Sequence, residues 1–416
     1  MSKKIIYYFA VFISTYICIF ILAISIRGAH VFGFGHIVKT IFRPLELATR
    51  NAKKIINEGV NDNGHLYPKT KIVNKFVEDF YILNTVKNNN EDQVEIRNLR
   101  TNKNVFEFNI PKEFQKNYDN RLRYNACINK SNDKIAVSAT ETGSIGLFDL
   151  HTKRWKWIIH SDSIILHHRI KFEGDNIICN IRKLGVINNT NLRNEGFGII
   201  DGRTGKMIQK WWIIDHYQDL GNIYFFKGSA LNAGELDVEN NADFWHINDV
   251  EVVHVPVNGI LHDGDILMSL RNLNTIIQIR EGKIYNYFTG NFLHQHDVDV
   301  VNNHTITIFN NNDFTFNYPW MNEYKTNIIF KDLITGRDSI VHDNIGLNSI
   351  SEGQYENLNR FEYIENQNQN EIIILKNHRI IYRGGISNIT DPSKVNLLNW
   401  CTPIVDLFPK NRTVLN

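Results

Sequence analysis

The chain has 416 residues, is 43% hydrophobic and carries a formal net charge of +2. That length supports a large core, arranged as one large all-β domain or two to three smaller units. Its Lys and Arg residues are scattered among Asp and Glu and form no basic stripe, which argues against nucleic acid as a partner.

Residues Ile5 to Ile26 form an apolar run without a charge, preceded by Lys3 and Lys4. At 1.5 Å per residue such a run spans a bilayer core. The sequence therefore predicts a signal-anchor helix over residues 1–27. Only Ala23 and Ser25 resemble a cleavage site, so an uncleaved anchor is preferred to a removable leader. Basic residues ahead of the run favour a cytoplasmic N-terminus, with the bulk of the chain facing the periplasm or cell exterior. Residues 28–74 read as a helical juxtamembrane stalk, with Ile37, Ile41, Leu45 and Leu47 set among basic residues and Pro44 as a kink or a new start.

From residue 75 to the C-terminus the texture changes to short alternating apolar and polar runs bounded by Asn, Asp and Gly, which reads as all-β. The segments DFYILNTVKNNNEDQVEIRNLRTNKNVFEFNI, DKIAVSATETGSIGLFDLHTKRWKWII and GFGIIDGRTGKMIQKWWII share one cadence of strand, Asx-x-x-Thr turn and strand. Their spacing fits propeller blades of about 40–50 residues, of which about five can be placed from the pattern. Cys127, Cys179 and Cys401 show neither a disulfide framework nor metal-ligand spacing and read as small buried residues. The runs Asn88 to Asn90 and Asn310 to Asn312 read as loop tips, and Trp155, Trp157, Trp211 and Trp212 as packing between blades.

Three segments repeat one layout, a histidine opening an alternating strand that is followed by a turn and a second strand. They are LHHRIKFEGDNIICNI, FWHINDVEVVHVPVNGILHDGDILMSL and LHQHDVDVVNNHTITIF, with His168, His246 and His296 in equivalent places. The first strand of each propeller blade lines the central channel, so equivalent positions near those strand starts converge on one funnel. Arg271, one strand after His246, adds a planar fork of donors suited to a tetrahedral anion. His167, His254, His262 and His294 read as surface or loop residues.

The stretches DFWHINDV, GDILMSLRNLNTIIQI, HQHDVDV and ITIFNNN resemble the core signature of bacterial arylsulfate sulfotransferases. The similarity runs from about Phe80 to Gly385 and is most specific between Asp243 and Asn312. It implies a six-bladed propeller outside the cytoplasm that moves a sulfuryl group from an aryl sulfate ester to a phenolic acceptor, with no nucleotide, cofactor or metal. It assigns His296 as the transiently sulfated residue, His246 and Arg271 as the sulfate-binding pair and His168 as a further active-site histidine. The chain departs from the pattern where HHD reads HHR with Arg169, where HVPVNGILHDG is inserted between His246 and Arg271, and where the family's cysteine pair has no counterpart. The HHR departure leaves the choice between His167 and His168 open.

Sulfuryl transfer through a loose transition state spreads charge over three equatorial oxygens, so positioning and cationic donors carry the catalysis. His296 would attack sulfur, and His168 or His246 would protonate the departing oxygen. Asp297 alternates away from His296 and is not its partner. Two other readings stand beside this one. In the first, a non-catalytic propeller keeps an anion pocket for a ligand or protein. In the second, His168, His246 and His296 hold zinc or copper, a set that Arg271 would repel. A homodimer is compatible with the sequence.

Overall fold

The computed structural model describes residues 66–68 and 72–407, apart from 89–90, 116–122, 188–189, 221–242, 244, 313–324, 350–351, 359, 387–393, 397 and 406. The expected anchor helix over 1–27 and residues 28–65 and 69–71 of the helical stalk expected over 28–74 lie outside the described residues. The described end of that stalk is strand and not helix, at Leu66–Pro68 and Val73–Asn74, because these segments pair with Lys394–Asn396 and with the outer strand of a blade. Among the described residues, no helix is long and apolar enough to cross a membrane.

The described strands form a six-bladed β-propeller. Each blade is an antiparallel meander, and the blades are numbered here along the chain. Blade one pairs Thr402–Ile404, Tyr81–Asn88, Glu91–Asn98 and Lys103–Asn109 in that order. Blades two to five each use four consecutive strands. They begin with Tyr124–Ile128, Ile165–Glu173, Ile247–Val252 and His296–Val300, and they end with Arg154–His160, Met207–Trp212, Lys283–Phe288 and Asp338–Val341. Blade six runs from Gln354–Leu358 through Phe361–Asn366 and Glu371–Lys376 to Arg379–Gly384, and Val73–Asn74 adds a fifth, outermost strand. The ring is closed by the C-terminal strand Thr402–Ile404, which pairs with residues 81–83 as the innermost strand of blade one. A small separate ribbon joins Leu66–Pro68 to Lys394–Asn396.

Burial follows from position in the blade. The second strand of blade four, Ile266–Leu270, is buried at every position and is apolar apart from Ser269. Outermost strands such as Lys103–Asn109 have one wet face, and their exposure alternates residue by residue. The apolar faces pack between blades. One cluster with Phe197, Trp211, Trp245 and Met268 joins blades three and four, and another with Val298, Ile306 and Phe288 joins four and five. Trp155, Trp157 and Trp212 sit in clusters of the same kind, as the sequence predicts. The three described cysteines are free and buried.

The recurring Asx-x-x-Thr motif links the third and fourth strands of a blade. In Asp201-Gly-Arg-Thr-Gly205 the Asp201 carboxylate accepts the N–H groups of Arg203 and Thr204, and Gly205 takes φ +74°. Asp332 repeats this with Ile334, Thr335 and Gly336 in blade five. A short side chain that satisfies two turn amides, followed by a residue free to turn left-handed, makes the tight reversal.

Side chains near the inner strands lock the ring around the channel. Asn399 donates to the Tyr124 carbonyl from blade one to two, and Asn125 donates to the His168 carbonyl from two to three. Glu195 accepts the Ile247 N–H from three to four at 2.8 Å, and Asn248 donates to the Gln295 carbonyl from four to five at 2.7 Å. Asp297 accepts the Tyr355 N–H at 2.7 Å from five to six, and Gln354 donates to the Cys401 carbonyl from six to one. Each link is buried, so losing one leaves a dry polar group unmatched, and together the six links fix the inner strands relative to one another.

Candidate active site

The inner strands of blades three, four and five carry the expected histidines, and these strands share a backbone irregularity. Pairing to the second strand shifts register between His167 and Ile170, between Ile247 and Asp249, and between His296 and Val298. The inner strands of blades two and six pair without a shift. A bulge turns a side chain out of the strict two-residue alternation. His168, His246 and Asp297 take left-handed φ values of +55°, +48° and +31° at or beside these bulges. Such values are costly for residues other than glycine and concentrate where a structure aims particular side chains.

The bulges bring all four expected residues together. His168 Nε2 lies 3.1 Å from His246 Nε2. The His168 ring centroid is 5.1 Å from that of His246 and 5.8 Å from that of His296. Arg271 opens a short turn after the second strand of blade four, and its N–H bonds to the His246 carbonyl at 3.1 Å. The inserted segment between them folds back on itself through the Val257 and Leu261 backbone bonds, so it does not displace Arg271. Arg271 is buried and its charge bears on His168, His246 and His296.

Each histidine has a defined environment. The His296 Nδ1–H donates to Asn311 Oδ1 at 2.6 Å, with the His294 carbonyl behind it at 3.3 Å. The Asn311 amide nitrogen donates to the Ser349 and Glu352 carbonyls, which fixes its oxygen toward the imidazole. This holds the proton on Nδ1 and leaves the His296 Nε2 lone pair unshared, and among the described residues Nε2 has no hydrogen-bond partner although fully buried. His246 Nδ1–H donates to Asp243 at 2.6 Å, and Arg193 holds the same carboxylate oxygen at 3.0 Å. Burial works against the Asp243 charge, but His246 and Arg193 keep its carboxyl well below the usual range. With His246 neutral and protonated on Nδ1, the 3.1 Å contact is a His168 Nε2–H donating to His246 Nε2.

Burial, and behind it the Arg271 charge, holds His296 well below the ordinary imidazole range. His168 is also held well below, by burial and then by His167, His246, His296 and Arg271. His246 is lowered by burial and Arg271 against the pull of Asp243. The site therefore presents neutral imidazoles around one guanidinium near pH 7.

Two of the histidines expected at the surface are part of this region. His167 is buried, its ring centroid 3.8 Å from that of His168, and its Nδ1 pairs with Glu141, which Arg182 also holds. Strand alternation would separate neighbouring residues, but across the bulge at His168 both rings lie near His246, with centroids 5.3 and 5.1 Å away. His294 is buried too, beneath His296. His254 and His262 are exposed, as expected. Asn310 and Asn311 are buried rather than loop tips, because their amides cap the neighbouring strands and the imidazole. Trp400, just ahead of the closing strand of blade one, packs its ring 6.0 Å from His168 and 6.1 Å from His296.

Arg169, in place of the acid of HHD, points down the channel. It pairs with Asp297 at 2.9 Å and with Glu356, while Lys171 on the same face meets Asp249 at 3.1 Å and Glu251 at 2.9 Å. Asp297 thus faces away from His296, as alternation predicts, and burial pushes its carboxyl up to about 7 against the pull of Arg169. For a metal, the structure groups His167, His168 and His246, whose ligand atoms lie within 4.8 Å of one another. His296 is not in that set, and the nearest two nitrogens share a proton in the arrangement described.

This fold and site define a propeller with a histidine-lined funnel built around a buried arginine. A profile of the arylsulfotransferase (ASST) family matches residues 149–379, a span that includes His168, His246, Arg271, His296 and Asn311, and the chain belongs to that family. Membership supports sulfotransferase activity in general. No curated protein matches the chain. Among solved structures it is similar to a protein of unknown function from Bacteroides caccae, at 11% identity and a TM-score of 0.49, over 79% of this chain and 99% of that one. It is also similar to Kuenenia stuttgartiensis hydrazine synthase, at 11% identity and a TM-score of 0.39, over 71% of this chain and 75% of that one. Virginiamycin B lyase from Staphylococcus aureus follows at 10% identity and a TM-score of 0.35, over 62% and 68%.

Proposed function

We propose that the protein transfers a sulfuryl group from an aryl sulfate ester to a phenolic acceptor through a covalent intermediate on His296 Nε2. The observation that carries this reading is the fixed tautomer of His296, with Nδ1–H on Asn311 and a buried lone pair on Nε2. In the first half-reaction Nε2 forms a bond to sulfur as the S–O bond to the aryl group breaks. The aryl oxygen leaves as phenolate, accepting a hydrogen bond from His168 Nε2–H, which the His246–Asp243 pair orients and which neutral His168 keeps. In the second half-reaction the acceptor enters as its phenolate, its oxygen bonds to sulfur and the N–S bond breaks, returning the lone pair to His296 Nε2, so that one phenolate leaves and one enters over the cycle. Arg271 neutralises the charge on the transferring oxygens, which a buried guanidinium does more strongly than one in water. Trp400 gives the aryl ring an apolar wall beside both histidines.

Steady-state kinetics with a 4-nitrophenyl sulfate donor and varied phenol acceptor test the scheme. Parallel double-reciprocal lines and a burst of one nitrophenol per chain are expected, and intersecting lines without a burst would refute the covalent route. We also place this activity outside the cytoplasm on a membrane anchor, from the apolar run Ile5 to Ile26 and its flanking Lys3 and Lys4. Carbonate-resistant membrane sedimentation of the full chain, with protease access to the propeller from the outer side, is the expected result.

A further inference from the structure

Away from the channel, a second group of side chains meets where blades five and six touch. His342 directly follows the fourth strand of blade five, Glu362 lies on the second strand of blade six, and His378 sits in the turn between that blade's third and fourth strands. His342 Nε2 is 2.6 Å from Glu362 Oε2, and His378 Nδ1 is 3.0 Å from Glu362 Oε1. One ligand atom from each of the three lies within 4.8 Å of the other two. Tyr355 donates its hydroxyl to Glu362 Oε2 at 3.1 Å, the outer contact that commonly orients a ligating carboxylate.

We propose that His342, Glu362 and His378 form a binding site for a divalent transition cation of the zinc type, clamping blades five and six together outside the active site. Two imidazoles and one carboxylate are the donor set such an ion takes, with a fourth position left to water. Bonds of about 2.1 Å to nitrogen and oxygen place donors roughly 3.4 Å apart, so the 2.6 Å His342–Glu362 contact has to open and the wider separations, which lie within 4.8 Å, have to close toward that value. His378 is 85% exposed on its side chain and free to make that adjustment, while His342 and Glu362, at 9% and 12%, are held in place. The backbone supports the same reading. Asn377 and His378, at φ +51° and +58°, are the two central residues of a tight hairpin turn whose second place favours glycine. His342 is left-handed as well, at φ +57°. Retaining two histidines at such positions on one carboxylate points to a use for their nitrogens.

The test is zinc binding by equilibrium dialysis and the zinc-dependent rise in Tm, with the purified full chain and with His378→Gly, Glu362→Gln and His246→Ala variants. His378→Gly relieves the left-handed turn, so its metal-free Tm should equal or exceed that of the wild type, separating loss of a ligand from loss of fold. The expected result is one zinc per site, weakened roughly tenfold or more in His378→Gly and Glu362→Gln and unchanged in His246→Ala. Cobalt in place of zinc should give a visible absorption band that disappears in His378→Gly. Binding lost in His246→Ala but kept in His378→Gly would place the metal in the channel and overturn the proposal, as would failure of wild type to bind zinc. Sulfuryl transfer is expected to be the same in wild type and His378→Gly.

Discussion

Replacing Asn311 with alanine tests the tautomer argument at a residue that need not touch substrate. In the structure the Asn311 oxygen takes the His296 Nδ1 proton at 2.6 Å, and the alternative acceptor, the His294 carbonyl, is 3.3 Å away. Removing the amide leaves the weaker partner, so part of the population moves its proton to Nε2 and loses the nucleophilic lone pair. One neutral hydrogen bond is worth about 1–1.5 kcal/mol, which corresponds to a roughly five- to tenfold fall in the rate of the first half-reaction. Rapid-quench measurement of nitrophenol release in a single turnover reads that step directly. The amide also holds the Ser349 and Glu352 carbonyls, so the variant should lose about 1–3 kcal/mol of stability, and the assay belongs at a temperature well below its melting point. A single-turnover rate within twofold of wild type in a folded Asn311→Ala protein would refute the tautomer argument. A loss as complete as that of His296→Ala would refute it too, since it would put Asn311 in the chemistry itself.

The pH dependence should carry the mark of lowered imidazoles. His296 titrates well below its ordinary value, so its lone pair stays available as pH falls through 6.5 and is lost only further down. The acid limb of kcat/KM is therefore expected below pH 6.5, and a midpoint above 7 would contradict the burial argument. Arg271→Lys keeps the charge but loses the fork, and should cost about a hundredfold in kcat/KM, against little change if the residue only fills space. Arg169→Asp restores the acid of the HHD pattern but places it beside buried Asp297 and Glu356. Losing the cation that pairs them is expected to destabilise the fold by about 3–5 kcal/mol, measured as a fall in urea midpoint, and an unchanged midpoint would show that the channel pair is not coupled to stability.

Much of this site can be read from the sequence because propeller geometry turns position in the repeat into position in space. His168, His246 and His296 lie at or near the starts of equivalent inner strands, and those strands line one channel. What stayed hidden depends on local breaks in the period of two. His167 beside His168 argues for opposite faces until the bulge is seen. Asn311 sits in an Asn run that reads as a loop, and its burial follows from pairing with Ser349 and Glu352, some 40 residues on. Trp400 and the inner strand of blade one depend on the C-terminal strand returning to residues 81–83, a pairing across more than 300 positions that no local cadence records. The His342, Glu362 and His378 group is spread over two blades and shares no repeat position, so nothing in the alternation singles it out.

The central claim is the covalent intermediate, and mass spectrometry of the propeller after brief exposure to a phenyl sulfate donor tests it most directly. A sulfuryl adduct on His296 in wild type, absent from His296→Ala, is the predicted result. A wild-type chain that releases phenol with no adduct, or an adduct on another residue that persists in His296→Ala, would contradict it.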